Sequence, residues 1–488
     1  MKIPENYKIE KRIDMAEVTE SFIDEWIHKH KEEMIEELKL WVSQPSVSRA
    51  DLYKEGAPYG PDCRKMLDLA LERGKKYGFE VKEYEGYTGE IAYGSRDKEI
   101  GFVCHLDVVP EGDHWIYEPY KPVLENGFLI GRGVGDNKGS GVLCLFLLRF
   151  FKENNIELSH GLRLMLGCAE ETGMADFTYY KEKLNGTFPE VGIVADAAFP
   201  VCYAQKGGFD ATYEIKAGKN IVDFRAGSVR NIIPDKAELI VSGVTPEEVK
   251  AVLADVENIE AAGEGGYVKI TGYGKAGHAA FPVPGEDNNA IVKLARAAAL
   301  LEEKTGLDLN GVKFIAESFS TPFGDGLGVN YEDEESGVLT SNIGVVSTQQ
   351  GKIVMDIDIR YPVTDKAERI KTQLTKKADE YGAVLAKSSW SQPYYIDPED
   401  KKVKAMLEAY REVTGDYSEP YSMGGGTYSR VVPNAISFGP GMTKRQKPDF
   451  LPAGHGGAHG PDEALNIADW LTGFKIYIQS VIKLDKIL

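Results

Sequence analysis

The chain has 488 residues, 42% of them hydrophobic and 10% aromatic, and a formal net charge of −19. That length allows two or three domains around a sizeable core, and the apolar fraction is that of an ordinary soluble globular protein. The acidity argues against nucleic acid or an anionic membrane as partner, because both reward a basic patch.

The five cysteines (Cys63, Cys104, Cys144, Cys168, Cys202) include no C-x-x-C pair. Most lie in apolar stretches and read as reduced thiols in a core. The first residues lack the apolar segment of a signal peptide. The longest apolar stretch, 141–148, is too short to span a bilayer. A cytoplasmic protein is expected.

In chain order, Val18, Phe22, Trp26, Met34, Leu38 and Trp41 recur at near-helical spacing and predict a helix over 16–44, ended by Gln44-Pro45-Ser46. His28 and His30 fall on its polar side and are expected in solvent. A helix over 61–77, a strand at 80–84 and another at 99–104 follow. After the glycine-rich stretch 131–141 an apolar helix runs to Lys152, then come strands at 161–169 and 191–195. Strands alternating with helices predict an α/β domain with a largely parallel central sheet. His114 and His160 sit in polar stretches and are expected at the surface.

Around 204–207 the texture changes. Alternating stretches at 211–215 and 237–241, a helix at 246–257, a strand at 267–273 and a helix at 288–303 precede a hairpin of 343–347 with 352–360. A helix at 365–381 and a strand at 383–389 complete what reads as an inserted α+β domain. A helix at 399–413, a strand at 434–438 and a helix at 464–485 then restore the α/β texture. The expected organisation is an α/β domain over 1–204 and 389–488, interrupted by an inserted domain over 205–388.

Polar residues with chemical potential gather after the apolar strands. His105-Leu106-Asp107 follows 100–104, and residues two apart on a strand share a face. Imidazole ligands are commonly oriented by a carboxylate on their second nitrogen. Gly131-Arg132-Gly133-Val134-Gly135-Asp136-Asn137-Lys138-Gly139 fits neither a dinucleotide fingerprint nor a P-loop, and can instead aim Asp136 at a cation. Glu170-Glu171 ends the strand 161–169, and Asp196 ends 191–195. Ionised carboxylates are costly beside a core unless they are paired or bind a cation. His459 and His455 precede the last helix. Imidazoles with carboxylates suit two divalent ions better than a thiolate zinc site, and H-E-x-x-H is absent.

These motifs, in this order, resemble the M20 metallopeptidase family. They are His105-Leu106-Asp107-Val108-Val109-Pro110, Gly131 through Gly139, Glu170-Glu171-Thr172-Gly173, and Gln44-Pro45-Ser46-Val47-Ser48. Within the family the chain is most similar to PepV-like dipeptidases, through 195–200, the stretch 424–428 and the long insertion.

The resemblance implies two divalent ions, zinc first and manganese or cobalt as alternatives. Asp136 would bridge them, His105 and Asp196 would complete one shell, and Glu171 and His459 the other. Asp107 would orient His105, and Glu170 would be the general base. His459 is preferred to His455 because His459 to Glu463 matches the family's H-x-x-[DN]-E pattern. The inserted domain would be a lid on a catalytic domain; in it His278 would stabilise the transition state and Asn231 and Arg360 would hold the substrate, with Gly425 and Arg430 as further binding candidates. Arg360 read alone could equally be a surface charge closing a strand. The implied activity is hydrolysis of dipeptides by a monomer. The alternatives are another M20 amidohydrolase, such as an N-acyl-amino-acid deacylase or carboxypeptidase, and a non-catalytic binding module.

Overall fold

The computed structural model describes residues 13–280, 282, 288–444 and 446–488. Its contacts divide the chain into two compact units. The first runs to Tyr203 and resumes over Ile396–Tyr421 and Thr427–Leu488; the second comprises Ala204–Tyr395 and Ser422–Gly426.

The first unit is built on a mixed sheet with a parallel centre. Strands Gly161–Gly167, Glu99–His105, Val191–Val194 and Ala435–Phe438 lie side by side in parallel. Thr88–Tyr93 and then Glu80–Tyr84 extend one side antiparallel. The central strands are buried end to end, as expected of parallel strands covered on both faces. Their alternation shows why. Phe102, Leu164 and Ile193 belong to the large core formed with helices Glu20–Val42, Lys138–Glu153 and Ile467–Ile487. Val103, Met165 and Val194, one residue out of phase, belong to a smaller core with Phe177, Tyr180 and Tyr428. The expected α/β class with a mostly parallel central sheet is therefore the class observed.

The second unit is an eight-stranded antiparallel sheet with its own core. Helix Ala290–Thr305 packs on strands Lys236–Val241 and Tyr267–Tyr273, and helix Ala367–Tyr381 on Gly207–Lys216 and Val384–Ser391. This is an α+β unit, as its alternating pattern predicts. Among the described residues, no helix is long and apolar enough to cross a membrane.

Local chemistry moves several boundaries. The first long helix starts at Glu20, because the Thr19 hydroxyl accepts the Phe22 N–H at 3.2 Å and caps it. The helix expected at 246–257 stops at Val252. Two histidines expected in solvent are buried. His30 donates from Nδ1 to the Trp26 carbonyl at 2.8 Å and stacks on the Trp26 ring. His160 is 2.8 Å through Nδ1 from the Asp485 carboxylate. Partners supplied by a tryptophan one turn back and an aspartate in the last helix replace the water each would otherwise bind.

Leu164 is fully buried on a central strand. Leu164→Ala should cost about 2–5 kcal/mol, seen as a lower chemical-denaturation midpoint. An unchanged midpoint would contradict this account of the core.

Candidate active site

Parallel pairing places three chain ends at one edge of the sheet. His105 is opposite Gly167, and Val103 is opposite Val194, so whatever follows these strands emerges together. His105-Leu106-Asp107, Glu170-Glu171 and Asp196 are those residues. Open α/β sheets put their sites at such carboxyl ends. The segment 44–48 backs this edge: the Ser46 hydroxyl donates to the Leu106 carbonyl at 2.7 Å, and the Val108 N–H donates to the Ser46 carbonyl.

His105 is fully buried. Its Nδ1 lies 2.9 Å from the Asp107 carbonyl, which can only accept, so Nδ1 carries a proton and Nε2 is the nitrogen directed at the carboxylates. That Nε2 faces Asp136 Oδ1 at 2.9 Å and Asp196 Oδ2 at 3.8 Å. The buried Asp107 carboxylate is 3.5 Å from Nδ1 and makes its hydrogen bonds elsewhere. It accepts the N–H groups of Glu170 and Glu171, each at 3.1 Å. Asp107 thus ties the His105 turn to the glutamate pair.

Asp136 stands between two imidazoles, with Oδ1 toward His105 and Oδ2 3.1 Å from His459 Nε2. His459 Nε2 is also 2.9 Å from Glu171 Oε1. Neighbouring Asn137 donates from Nδ2 to the Ala195 carbonyl and to Asp196 Oδ1, while its Oδ1 accepts the His105 N–H. One amide thereby joins three segments of the site.

The loop carrying Asp136 is held by Glu463. Its Oε1 accepts the N–H groups of Gly135 and Asp136, and its Oε2 accepts the Gly133 N–H and pairs with Arg132, at 2.9–3.0 Å throughout. Both side chains are almost wholly buried. Asp462 receives the N–H groups of Ile116 and Tyr117 and pairs with His455 at 2.6 Å. His455 is therefore a structural partner of Asp462, while His459 faces the carboxylates.

Charge crowding dominates this edge. Burial, then the Asp196 charge, pushes the Glu170 carboxyl well above the usual carboxylate range. Burial raises Glu171 and Asp196 as well. For Asp136 burial acts the same way, but hydrogen bonds with His105 and His459 prevail and hold it low. Hydrogen bonds to Asp136 and Glu171 raise His459 to about 10. Carboxylates outnumber imidazoles in this cluster, four (Asp136, Glu170, Glu171 and Asp196) to two (His105 and His459). Within it, donor atoms of His105, Asp136 and Glu171, and of His105, Glu170 and Asp196, lie within 4.8 Å of one another. Oxygen and imidazole donors with no thiolate fit divalent cations, and the buried Nε2 of His105 already faces the carboxylates, the orientation a ligand requires.

Residues 101–483 match the model of Peptidase family M20/M25/M40. The chain belongs to this family. It is 31% identical over 478 residues, 94% of this chain and 98% of the relative, to Putative dipeptidase YtjP of Bacillus subtilis (strain 168). It is 29% identical to Putative dipeptidase SAB1611c of Staphylococcus aureus (strain bovine RF122 / ET3-1), over 85% of this chain and 91% of the relative. The fold is also that of the dipeptidase Dug1p from Saccharomyces cerevisiae (TM-score 0.58, 16% identity, covering 96% of this chain and 98% of that one). The carboxypeptidase Sso-CP2 from Sulfolobus solfataricus is similar too (TM-score 0.57, 18% identity, 93% and 100% covered).

This M20 metallopeptidase has its remaining candidates distributed as follows. Asn231 and His278 are brought together in the second unit, where Ile232–Ile233 pairs with Gly277–His278 and the Asn231 carbonyl accepts the Ala279 N–H. His278 is exposed, and its Nδ1 accepts the Ala280 N–H at 3.1 Å. Arg360 lies on strand Lys352–Tyr361 and grips Asp358 with both Nε and Nη2, so it is a paired, mostly buried guanidinium rather than a loose surface charge. Gly425 lies in the Ser422–Gly426 segment of the second unit. Arg430 ends a 3-10 turn of the first unit, half-buried.

Sequence reasoning did not single out Asn137, Arg132, Asp176 or Tyr428, and used Glu463 only as a motif marker. Asp176 accepts the N–H groups of Cys168 and Ala169 and the Tyr428 hydroxyl, fixing the turn before Glu170. Their only sequence signal is position beside the motifs; their partners are supplied by the fold.

Glu463→Gln should weaken divalent-metal affinity about 10–100-fold, read by metal titration, because it loosens the Asp136 loop; unchanged affinity would contradict that role. Burial, reinforced by the Asp107 charge, lifts Asp176 from 3.8 to about 6. A raised acid binds its proton more tightly when folded. Its stabilisation is therefore full below about pH 4 and is lost as pH rises through about 6. The difference in melting temperature between wild type and Asp176→Asn should fall across that window. A pH-independent difference would contradict the assignment.

Proposed function

We propose that this chain is a two-metal dipeptidase, acting as a monomer in the cytoplasm. The observation that carries the reading is a buried glutamate, Glu170, beside a donor cluster of His105, Asp136, Glu171, Asp196 and His459. The names of the Bacillus subtilis and Staphylococcus aureus relatives support dipeptides as the substrate class.

In this proposal two divalent ions, zinc first and manganese or cobalt as alternatives, would be held by Asp136 in common, with His105 and Asp196 serving one ion and Glu171 and His459 the other. When bound, such ions supply Lewis acidity and lower the pKa of a nearby water.

Glu170 takes the proton from the attacking water and delivers it to the departing amine, a base turned acid. Its raised affinity for a proton suits the second half of that task. Asp107 acts as a positioning residue, fixing the backbone of Glu170 and Glu171 while its carbonyl holds the His105 ring. The second unit, read as the inserted lid, contributes His278 to the developing oxyanion. Asn231 and Arg360 take the substrate's terminal carboxylate, which a guanidinium fork suits, and Gly425 and Arg430 complete the binding set. Asp358 keeps the Arg360 fork extended and charged.

Hydrolysis of a dipeptide panel and of N-acyl amino acids, by protein loaded with zinc or manganese, tests the reading. Free dipeptides should be cleaved, chelation should abolish the activity, and Glu170→Gln should lower kcat about 10²–10⁴-fold. Cleavage of N-acyl amino acids with dipeptides untouched would remove the dipeptidase reading. A near wild-type rate in Glu170→Gln would remove the base.

A further inference from the structure

The segment Gln44-Pro45-Ser46-Val47-Ser48 has no ionisable side chain, yet it bonds to all three segments that carry His105, Asp136 and the glutamate pair. At its start, the Gln44 carbonyl accepts from the Lys138 ammonium at 2.7 Å. Lys138 is fully buried and stands two residues after Asp136. In the middle, the Ser46 hydroxyl donates to the Leu106 carbonyl and the Ser46 carbonyl accepts the Val108 N–H, on either side of Asp107. Val47 adds a parallel bridge to Val108. At its end, the Ser48 and Thr172 hydroxyls share a hydrogen bond at 3.0 Å, across 124 positions of sequence.

The last of these bonds matters because of where Thr172 stands. Residues 170–173 form one turn, closed by the Gly173 N–H on the Glu170 carbonyl at 3.2 Å. Repulsion by Asp196 acts on Glu170 and repulsion by Asp136 on Glu171, so the turn is driven away from the cluster. Asp107 restrains it by accepting the N–H groups of Glu170 and Glu171, but Asp107 is itself a carboxylate and adds to the repulsion. A pair of hydroxyls restrains the far end of the turn without adding charge. Ser48 is a firm anchor: it is 8% exposed, Ser46 before it is bonded twice, and the Arg49 N–H after it is held by the Tyr59 carbonyl at 2.9 Å. Thr172 is exposed, so packing does little to fix it and the hydroxyl bond carries the restraint.

We propose, on the reading of Glu170 as base and Glu171 as metal ligand, that Ser48 and Thr172 are a positioning pair for both glutamates. The pair ties the glutamate turn to the segment that also holds the His105 turn and the Asp136 loop. Ser48 and Thr172 act through the glutamates and touch neither substrate nor metal.

Zinc titration of the full chain, with steady-state kinetics on a dipeptide that the wild type cleaves, tests the pair in Ser48→Ala, Thr172→Val and the double variant. Each single variant should weaken one zinc-binding step about tenfold and lower kcat about tenfold, while KM stays within about twofold. The double variant should be no worse than either single one, because the same bond is lost in all three. Thr172→Ser, which returns the hydroxyl, should restore both values. Thr172→Val is an exposed, nearly isosteric change that leaves the fold intact, so wild-type zinc affinity and kcat in it would overturn the proposal. Additive losses in the double variant would overturn it as well. If the wild type binds zinc but cleaves no dipeptide, the dipeptidase reading fails and the zinc titration alone decides the pair. No zinc binding by the wild type would overturn both.

Discussion

Mutual repulsion among carboxylates gathered at one edge of a buried parallel sheet is the constraint on which the site depends. Strands Gly161–Gly167, Glu99–His105 and Val191–Val194 run in register and in one direction, so their ends cannot avoid one another. Glu170, Glu171 and Asp196 leave from those ends, and Asp136 is brought to them by a loop. Burial raises the proton affinity of three of these groups. Cations reverse that tendency, because they stabilise the ionised forms that burial penalises.

The surrounding structure is organised to hold this arrangement. Backbone N–H groups are directed at Asp107, Glu463 and Asp176. Each of these carboxylates is buried and fixes a turn that carries a donor or the proposed base. Asp107 fixes Glu170 and Glu171, Glu463 fixes Asp136, and Asp176 fixes the turn after Gly167. Asn137 links the ends of two strands through a single side chain. Carboxylates therefore have two uses here, some facing the proposed cation positions and others clamping backbone behind them.

Much of the first use was legible in the sequence, because it follows from where apolar strands end. His105, Glu170, Glu171 and Asp196 each stop a run of core residues, and a polar residue there is anomalous enough to notice. The second use was not legible. Glu463 reaches Gly133 across 330 positions and Tyr428 reaches Asp176 across 252, and no local pattern announces such pairs. His160 misleads for the same reason, since its partner Asp485 lies 325 positions away, whereas His30 is covered by packing around its helix and bonds the Trp26 carbonyl one turn back. The α/β and α+β textures were readable from periodicity. The strand Thr88–Tyr93 was not, because Thr88, Gly89 and Glu90 interrupt its apolar pattern.

The most direct measurement is the metal content of purified protein after loading and dialysis, compared between wild type and Asp136→Asn. The account predicts two divalent ions per chain in wild type, with markedly reduced binding once the carboxylate between the two imidazoles is neutralised. It also predicts a rise in melting temperature on metal addition to wild type alone. Two tightly held ions in both proteins, or none in either, would contradict the claim that cations hold this cluster together.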